Sequence, residues 1–447
     1  MTHRHTGGAA VRRDRSLGAT RTGAAVFAAA AILALAGCSQ PGASTATDQP
    51  GASTATDEVT LTYQIWDAPQ EQATQQIIDA FEAENPTVSV ELSVVPWAEY
   101  WTKLQTTATS GNAPDVFWMN TPTLPKYADG GVLLPLDDVV SSAGIDLADF
   151  APATVASATY DGTLYGMPKD VDALALWYNG QLFEAGGVDL PTNDWTWDDM
   201  VAAAGQLTDP AAGVYGIPAL PTDQLSYYNT IPQSGGFVIS EDGTTSGYDD
   251  PRTIAGIQAW VDLIHTHHVS PTLQQMSDTD PTNMFQSGKV AMTYAGSWMI
   301  PVFTADEAFA QNVGVVRMPL LEQRGGVSNS VANVGFSGTE HTSEVEAFLV
   351  FLGSEAAADI IAEGGVLPAR TAAQQIWADA YGDVIDTQVF VDTAADNTPF
   401  PRSINTPAWE SVATAEFTRA WNGEISVEEA AQSVAAQMRE ALAAERG

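Results

Sequence analysis

Beyond its first 57 residues the chain alternates between strand-like and helix-like segments, and this alternation constrains the fold more than any other feature. Residues 59–66 (VTLTYQIW) predict a strand, and over 73–81 apolar residues recur at helical spacing. Residues 88–94 alternate apolar and polar side chains, which is the period of a half-buried strand. A second helical pattern follows, and then a short strand at 115–119. Strands that alternate with helices predict an α/β fold with a mostly parallel, doubly wound sheet.

The rest of the chain keeps this alternation but becomes richer in helices. Strands are predicted at 164–168, 173–178 and 289–294, and helices at 198–207, 251–265, 342–352, 355–361, 409–421 and 427–443. A chain of 447 residues with 45% hydrophobic side chains can build more than one core. We therefore expect two α/β lobes rather than a single sheet.

The N-terminus resembles the leader of bacterial lipoproteins. The first 21 residues contain five arginines and one acidic residue. The apolar run that follows is too short to span a bilayer. The run ends in Leu35-Ala36-Gly37-Cys38, which resembles a lipobox, the sequence at which such lipoproteins are cleaved and lipidated. The resemblance implies a signal peptide over 1–37 and a lipid on Cys38 that anchors the chain at the extracellular face of the cell membrane. The alternative is a buried or stray cysteine.

Residues 38–57 predict a flexible tether. The octapeptide PGASTATD occurs at 41–48 and again at 50–57, and the segment contains no large apolar residue. Such a segment cannot form a core. Its expected role is to hold the folded part away from the lipid surface.

Net charge excludes several classes of function. The chain has 17 Lys and Arg against 55 Asp and Glu, a formal net charge of −38. Because nucleic-acid binding depends largely on cations that neutralise phosphates, we expect no nucleic-acid partner. The acidic surface should not bind an anionic membrane either, so contact with the membrane is expected through the N-terminal lipid only. The single cysteine excludes an intramolecular disulfide.

A series of short motifs resembles one family of binding proteins. The motifs are residues 113–118 (APDVFW), 160–168 (YDGTLYGMP), 176–179 (LWYN), 285–292 (FQSGKVAM) and 364–370 (GGVLPAR). In this order they are similar to the extracellular solute-binding proteins of ABC importers, in the carbohydrate-binding, maltose-binding-protein-like group. The resemblance covers nearly everything from Val59 to the C-terminus.

The resemblance implies a two-lobe, type II periplasmic-binding-protein-like fold, with the ligand in a cleft between discontinuous lobes. The implied boundaries are 58–170 and 330–368 for lobe 1, 171–329 and 369–447 for lobe 2, and crossing segments near 169–172, 329–335 and 367–371. The resemblance further implies a monomer that closes around a carbohydrate by a hinge motion and delivers it to ABC permease subunits. It implies no cofactor and no enzymatic reaction.

Aromatic side chains are the first candidates for ligand contact, because sugars present flat apolar faces that stack on rings. Trp298 follows a predicted strand and begins a predicted helix, so it should lie at the carboxyl end of a sheet, where open α/β sheets bind ligands. The resemblance assigns stacking roles to Trp298, Trp409, Trp118 and Tyr228, and the further candidates are Trp66 and Tyr227. For each of them the alternative is a core position. Core positions are expected for Trp97, Trp101 and Trp260, which lie on apolar helical faces.

Polar candidates would supply hydrogen bonds to the hydroxyl groups of a sugar. The resemblance places Asp172 on a crossing strand, where the family carries a sugar-binding acid. The family residue is a longer Glu, so the hydroxyl held by Asp172 should differ. Asn120 offers both a donor and an acceptor, and Asp67 is either a ligand contact or the N-cap of the next helix. Asn333 and Arg402 complete the set.

Other chemistry fits the sequence less well. No P-loop, Gly-x-Ser-x-Gly or Ser-x-x-Lys motif is present. The cluster of His265, His267 and His268 at a helix end lacks the further ligands of a zinc site, so we expect no metal. Three alternatives stay open: a receptor for a non-sugar solute (glycerol phosphate, a peptide or a polyamine), a surface glycoside hydrolase with a carboxylate pair that nothing singles out, and an adhesin.

Overall fold

The strands of the computed structural model build two main sheets. The structure describes residues 58–240 and 242–445, and the predicted leader, Cys38 and the tether lie outside them. The strands are β1 (Val59–Ile65), β2 (Val88–Val94), β3 (Val116–Asn120), β4 (Thr159–Tyr160), β5 (Thr163–Leu164), β6 (Gly166–Pro168), β7 (Leu174–Asn179), β8 (Met292–Gly296), β9 (Val313–Val316), β10 (Gly326–Ser328), β11 (Val331–Gly335) and β12 (Asn397–Pro399).

Helices make up most of the remaining chain. They are α1 (Glu71–Glu84), α2 (Trp97–Thr109), α3 (Leu124–Asp129), α4 (Asp137–Ala143), α5 (Pro152–Ser157), α6 (Gly180–Gly186), α7 (Trp197–Leu207), α8 (Tyr228–Gln233), α9 (Pro251–His265), α10 (Leu273–Asp278), α11 (Pro281–Gln286), α12 (Ile300–Thr304), α13 (Glu307–Ala310), α14 (Thr342–Leu352), α15 (Glu355–Glu363), α16 (Gln374–Tyr381), α17 (Gln388–Asp396), α18 (Thr406–Trp421) and α19 (Val427–Ala444). Short 3-10 helices lie at Ala68–Gln70, Leu147–Asp149, Ser297–Met299 and Thr371–Ala373, and a π-helical turn lies at Asp223–Tyr227. Within the described ranges no helix is both long and apolar enough to cross a membrane.

The first sheet forms the centre of lobe 1, with strands in the order β2-β1-β3-β11-β6. β1 pairs in parallel with β2 and β3, which confirms the parallel pairing predicted from the first three strands. β11 runs antiparallel to both β3 and β6. Side chains alternate between the faces of the sheet, so Trp118 packs with α1 and α14, while Phe117 and Met119 pack with α2 and α3.

The second sheet forms the centre of lobe 2, with strands in the order β8-β7-β9. All of its pairings are antiparallel, so the prediction of a mostly parallel sheet is wrong for this lobe. The reason is that short, fully buried strands carry no sequence signal of their direction. Leu174 and Leu176 face α7, α9, α18 and α19, whereas Ala175 and Trp177 face α11, α12, α16 and α17.

The three segments predicted to cross between the lobes lie side by side. The backbone N–H of Lys169 donates to Val331 O at 3.0 Å, and that of Val171 donates to Leu367 O at 2.9 Å. Ala369 N–H donates to Lys169 O at 3.0 Å. These bonds connect the end of β6 in the first sheet to the chain that enters β7 in the second. The exact lobe boundaries stay predictions.

The expected core tryptophans divide into two groups. Trp260 is 1% exposed, which confirms its predicted core position. Trp97 is 51% exposed, so the core prediction is wrong for it. Trp97 is the first residue of α2 and directly follows Pro96, so the apolar stripe of that helix begins only after it. Trp101, one turn further on, is half-buried.

A buried chain of hydrogen bonds joins three strands of the first sheet. Trp118 Nε1 donates to the Tyr63 hydroxyl at 2.7 Å, and that hydroxyl donates to Asn333 Oδ1 at 2.7 Å. Both Trp118 and Asn333 are 0% exposed. Side chains of β1, β3 and β11 are thereby fixed to one another.

We expect Trp118→Phe to lower the free energy of unfolding by about 2 kcal/mol, because the Tyr63 hydroxyl loses a buried donor and the core loses volume. Urea unfolding measures the change. Trp97→Phe is the matched control, and it should change the unfolding free energy by less than about 0.5 kcal/mol because Trp97 is half exposed. Equal losses in the two variants would contradict the assignment.

Candidate ligand-binding site

A buried ion pair occupies the point where the crossing segments meet. Lys169 Nζ lies 2.7 Å from Asp170 Oδ2, and each side chain is 4% exposed. Lys169 Nζ also donates to Gln70 Oε1 at 2.7 Å and lies 4.4 Å from the centroid of the Trp118 ring. Asp170 Oδ1 accepts the backbone N–H of Val331 at 2.8 Å. Because both charges have partners, the pair can fix the crossing segments against the first sheet.

Two predicted site residues, Asp67 and Asp172, flank this ion pair. Burial raises the pKa of Asp67, and a 2.7 Å hydrogen bond from Gln70 opposes the rise. Asp67 occupies the N-cap position of the 3-10 helix at Ala68–Gln70, as the alternative predicts, but its side chain makes no capping bond to the backbone of that helix. Its contact with a ligand stays a prediction. Burial also raises the pKa of Asp172 well above its ordinary range, and the charge of Asp170 adds to the rise. The two carboxyl groups interact electrostatically, so the structure brings them to one place.

A chain of amide hydrogen bonds extends this polar region from lobe 2 to the end of β3. Gln224 Nε2 donates to Asp172 Oδ2 at 2.8 Å, and Gln224 Oε1 accepts from Asn329 Nδ2 at 3.2 Å. Asn329 Oδ1 accepts the backbone N–H of Thr121 at 3.2 Å. The preceding residue, Asn120, is 5% exposed, and its side chain accepts a backbone N–H of the following turn.

Trp298 lies directly after β8, at the carboxyl end of that strand, as the sequence predicts. It is half-buried and packs against the core of lobe 2. A Cβ atom on Gly296 would lie 1.8 Å from Cζ3 of Trp298, so the ring sits directly on the backbone of Gly296. Glycine is therefore required at 296 for this position of the ring.

The remaining aromatic candidates of lobe 2 are buried in its core. Tyr227 is 2% exposed, Tyr228 0% and Trp409 1%. The Tyr228 and Tyr248 hydroxyls lie 2.9 Å apart, and Trp409 Nε1 donates to Ser403 Oγ at 2.9 Å. Their contact with a ligand stays a prediction.

A second acidic pair, which the sequence does not single out, lies beside these rings. Burial raises the pKa of Glu410 well above its ordinary range, and the nearby Asp223 carboxyl adds to the rise. Burial likewise raises the pKa of Asp223. Glu410 Oε1 is buried and has no hydrogen-bond partner among the described residues. Asp223 directly precedes Gln224, so the pair continues the polar region into lobe 2.

The candidates of lobe 1 differ in how far they reach the surface. Trp118 and Asn333 lie in the core, whereas Trp66, at the end of β1, is half-buried. The rings of Trp66 and Trp118 meet edge to face with their centroids 5.0 Å apart. A cavity of about 10 Å³ beside Asn333 and Lys169 is far too small for a sugar ring.

Arg402 connects the two lobes. Its guanidinium donates to the carbonyl oxygens of Ala156 at 2.8 Å, Ser157 at 2.7 Å and Thr159 at 3.1 Å. The carbonyl groups of Ala156 and Ser157 lie at the C-terminal end of α5, where a cation is electrostatically favoured, and Thr159 begins β4. In this structure the arginine therefore acts as a bridge between the lobes, and contact with a ligand stays a prediction.

The predicted histidine cluster has backbone partners. In the described ranges no group of three or more His, Cys, Asp or Glu is placed to hold a metal ion. His265 Nε2 lies 2.8 Å from Trp421 O, and His268 Nδ1 lies 3.0 Å from Ile264 O. His265 therefore binds the last carbonyl group of α18, and His268 binds a carbonyl group in the last turn of α9.

The structure thus gathers part of the predicted set around the ion pair and leaves part in the two cores. Asp67, Asp172, Trp66 and Trp118 surround the crossing segments, while Tyr227, Tyr228 and Trp409 pack together inside lobe 2. Sequence reasoning missed the polar partners Gln70, Lys169, Asp170, Asp223, Gln224, Asn329 and Glu410. The predicted crossing segments contain three of these residues, and that location was the available signal.

We expect Asp172→Asn to be more stable than the wild type at pH 7, with a difference that shrinks as the pH falls. The folded pKa of Asp172 is raised, so stability is lost as the pH rises from the unfolded value towards the folded one. Asparagine keeps an acceptor for Gln224. Thermal unfolding between pH 4 and pH 8 measures the difference, with Asp383→Asn, an exposed site, as the control for lost charge. A gain that does not vary with pH would contradict this explanation.

The sequence of this protein is similar to those of known binding proteins. The sequence pattern of the family described as bacterial extracellular solute-binding protein matches residues 67–359. A binding protein of Brucella abortus is 27% identical over 365 residues, which are 80% of this chain and 85% of that protein.

Two solved structures share the architecture. An ABC substrate-binding protein of Listeria monocytogenes in complex with cycloalternan is 25% identical, with a TM-score of 0.81 over 87% of this chain and 100% of that chain. The GacH receptor of Streptomyces glaucescens, solved unliganded and with acarbose, is 25% identical, with a TM-score of 0.77 over 86% of this chain and 99% of that chain. The two-lobe fold predicted from the sequence is confirmed, and the chain belongs to the bacterial extracellular solute-binding proteins.

Proposed function

We propose that this protein is the lipid-anchored receptor of an ABC sugar importer. It captures a neutral mono- or oligosaccharide by closing its lobes and delivers the sugar to the permease. Lipidation at Cys38 would keep it at the extracellular face of the cell membrane. It binds as a monomer and performs no reaction.

The observation that carries this proposal is the combination of groups at the lobe crossing. Half-buried indole rings of Trp66 and Trp298 supply apolar faces, one from each lobe. The side chains of Asp172, Gln224 and Asn329 supply donors and acceptors in a connected chain. A sugar has both hydroxyl groups and a flat apolar face, so its binding site needs both hydrogen-bonding groups and aromatic rings.

The ligands named for the two solved neighbours, cycloalternan and acarbose, support a carbohydrate. The relatives are binding proteins, which supports a receptor rather than a glycoside hydrolase. Incubation with oligosaccharides tests this point, because a hydrolase would release new reducing ends and a receptor would not.

A cationic solute such as a polyamine is the second candidate, because carboxyl groups outnumber cations at the crossing. Asp67 and Asp172 lie there, and Asp223 and Glu410 lie deeper in lobe 2. Burial raises the pKa of each of these groups, which favours the neutral form. Because burial disfavours the charged form, these groups attract an ammonium less strongly than exposed carboxylates would, and their oxygen atoms can still accept hydrogen bonds from hydroxyl groups. Spermidine in the ligand panel separates the candidates.

We expect one class of neutral sugar in a panel to raise the thermal stability of the protein. A ligand that binds only the folded state adds about 2.7 kcal/mol at a hundredfold excess over its Kd. Differential scanning fluorimetry detects the shift, and titration calorimetry gives the Kd. If no sugar shifts the transition while spermidine does, the sugar proposal fails.

Trp298→Ala should weaken binding of that sugar at least about tenfold, because the ring supplies stacked apolar area. Tryptophan fluorescence titration measures the affinity. Trp195→Ala is the matched control, since Trp195 is also half-buried in lobe 2 but lies beside the start of α7. If Trp298→Ala binds the sugar with wild-type affinity, Trp298 is not part of the binding site.

Arg402→Gln should favour the open arrangement of the lobes, because it removes the charged hydrogen bonds to the end of α5. Each such bond is worth about 1.5–3 kcal/mol. Small-angle scattering without sugar should give a larger radius of gyration than the wild type, and saturating sugar should restore the compact value. An unchanged radius would show that the bridge does not hold the lobes together.

A further inference from the structure

A row of tryptophan rings runs from the lobe crossing to the surface of lobe 1. Trp118 lies under Lys169, Trp66 follows at a centroid distance of 5.0 Å, and Trp97 follows Trp66 at 5.3 Å. Trp101 closes the group, 5.5 Å from Trp97 and 5.8 Å from Trp66. Exposure rises along the row, from 0% at Trp118 to 51% at Trp97.

The outer ring is held in place although it is exposed. Trp97 meets Trp66 at an interplanar angle of 75° and Trp101 at 89°, both edge-to-face contacts. Trp101 in turn packs at 5.1 Å against Tyr100, which is buried and donates to Trp118 O at 2.7 Å. A ring fixed in this way loses little conformational entropy when a ligand stacks on it.

The position of Trp97 is also unusual within this protein. The other large apolar side chains that are exposed in the described ranges are Leu190, Phe237 and Val384. Trp97 is the largest of them, and its aromatic contacts continue to the crossing segments. α2 begins at Trp97 and follows β2, so this residue lies at the carboxyl edge of the first sheet, where Trp66 directly follows the end of β1.

We propose that the pair Trp97 and Trp101 is an outer binding site for a sugar unit, next to the site at the crossing. This inference rests on the proposed function and narrows its substrate class from any neutral sugar to an oligosaccharide. One end of the oligosaccharide contacts the crossing region, and a further unit stacks on Trp97. A free monosaccharide is too short to occupy both positions. Continuity of the ring row with the crossing favours a sugar over a docked protein as the occupant.

Affinity as a function of ligand length tests the inference. The probes are glucose, mannose, arabinose, xylose and galactose and their linear oligosaccharides of two to six units, titrated into the wild type and into Trp97→Ala. We expect the wild type to bind the longer members of one series at least about tenfold more tightly than its monosaccharide, and Trp97→Ala to abolish that advantage. Affinity for the monosaccharide should stay within about twofold of the wild type, and Trp97→Phe should restore most of the advantage.

Controls separate this inference from the proposed function. Phe237→Ala removes another exposed aromatic ring and should leave all affinities unchanged, and thermal unfolding verifies that each variant is folded. Equal loss for every ligand length, or no loss at any length, overturns the outer site but leaves a sugar receptor in place. Trp97→Ala could also leave every affinity normal while cells that carry it lose sugar uptake. That result would assign the surface to permease contact and would overturn the outer sugar site. Absence of binding to every sugar removes the proposed function itself.

Discussion

The arrangement of both lobes depends on the buried ion pair of Lys169 and Asp170. Taking two charges out of water costs several kcal/mol per ion, and only complete pairing offsets that cost. Here the pairing is completed by the Gln70 amide, the Val331 backbone and the Trp118 ring. Gln70 ends the 3-10 helix at Ala68–Gln70, Val331 begins β11, and Trp118 lies on β3. The ion pair therefore fixes these three elements relative to one another. Asp172 follows Asp170 by two residues, and Asn333 lies on β11 two residues after Val331, so the ion pair helps to set the positions of these two candidates.

The acidic side chains of this protein have different environments at the crossing and on the surface. Exposed carboxylates are solvated and give the formal net charge of −38. Near the ion pair, burial raises the pKa of Asp67 and Asp172, and deeper in lobe 2 it raises the pKa of Asp223 and Glu410. Burial therefore disfavours the charged form of these four carboxyl groups, which suits the neutral ligand of the proposed function.

Sequence periodicity predicted the elements better than their partners. Strand 88–94 and helix 251–265 were predictable because one face of each is apolar at a regular spacing. The direction of the strands in the second sheet was not predictable, because the sequence of a short buried strand does not indicate which way it runs. The same limit applies to Trp97 and Trp101, which share helical spacing although Trp97 is 51% exposed and Trp101 is half-buried. Gln224 lies in a π-helical turn without any local pattern, so its bond to Asp172 emerges only from the tertiary structure.

The exposure of the candidate residues indicates which of them can respond to lobe motion. A hinge motion moves each lobe as a rigid body, so side chains buried within one lobe, such as Trp118 and Tyr228, stay buried whether the cleft is open or closed. Half-buried groups near the crossing, such as Trp66, Asp172 and Trp298, belong to surfaces that opening can change. A ligand shifts the equilibrium only through contacts that differ between the two arrangements. In the proposed function, the free energy of closure would therefore come mainly from these half-buried side chains.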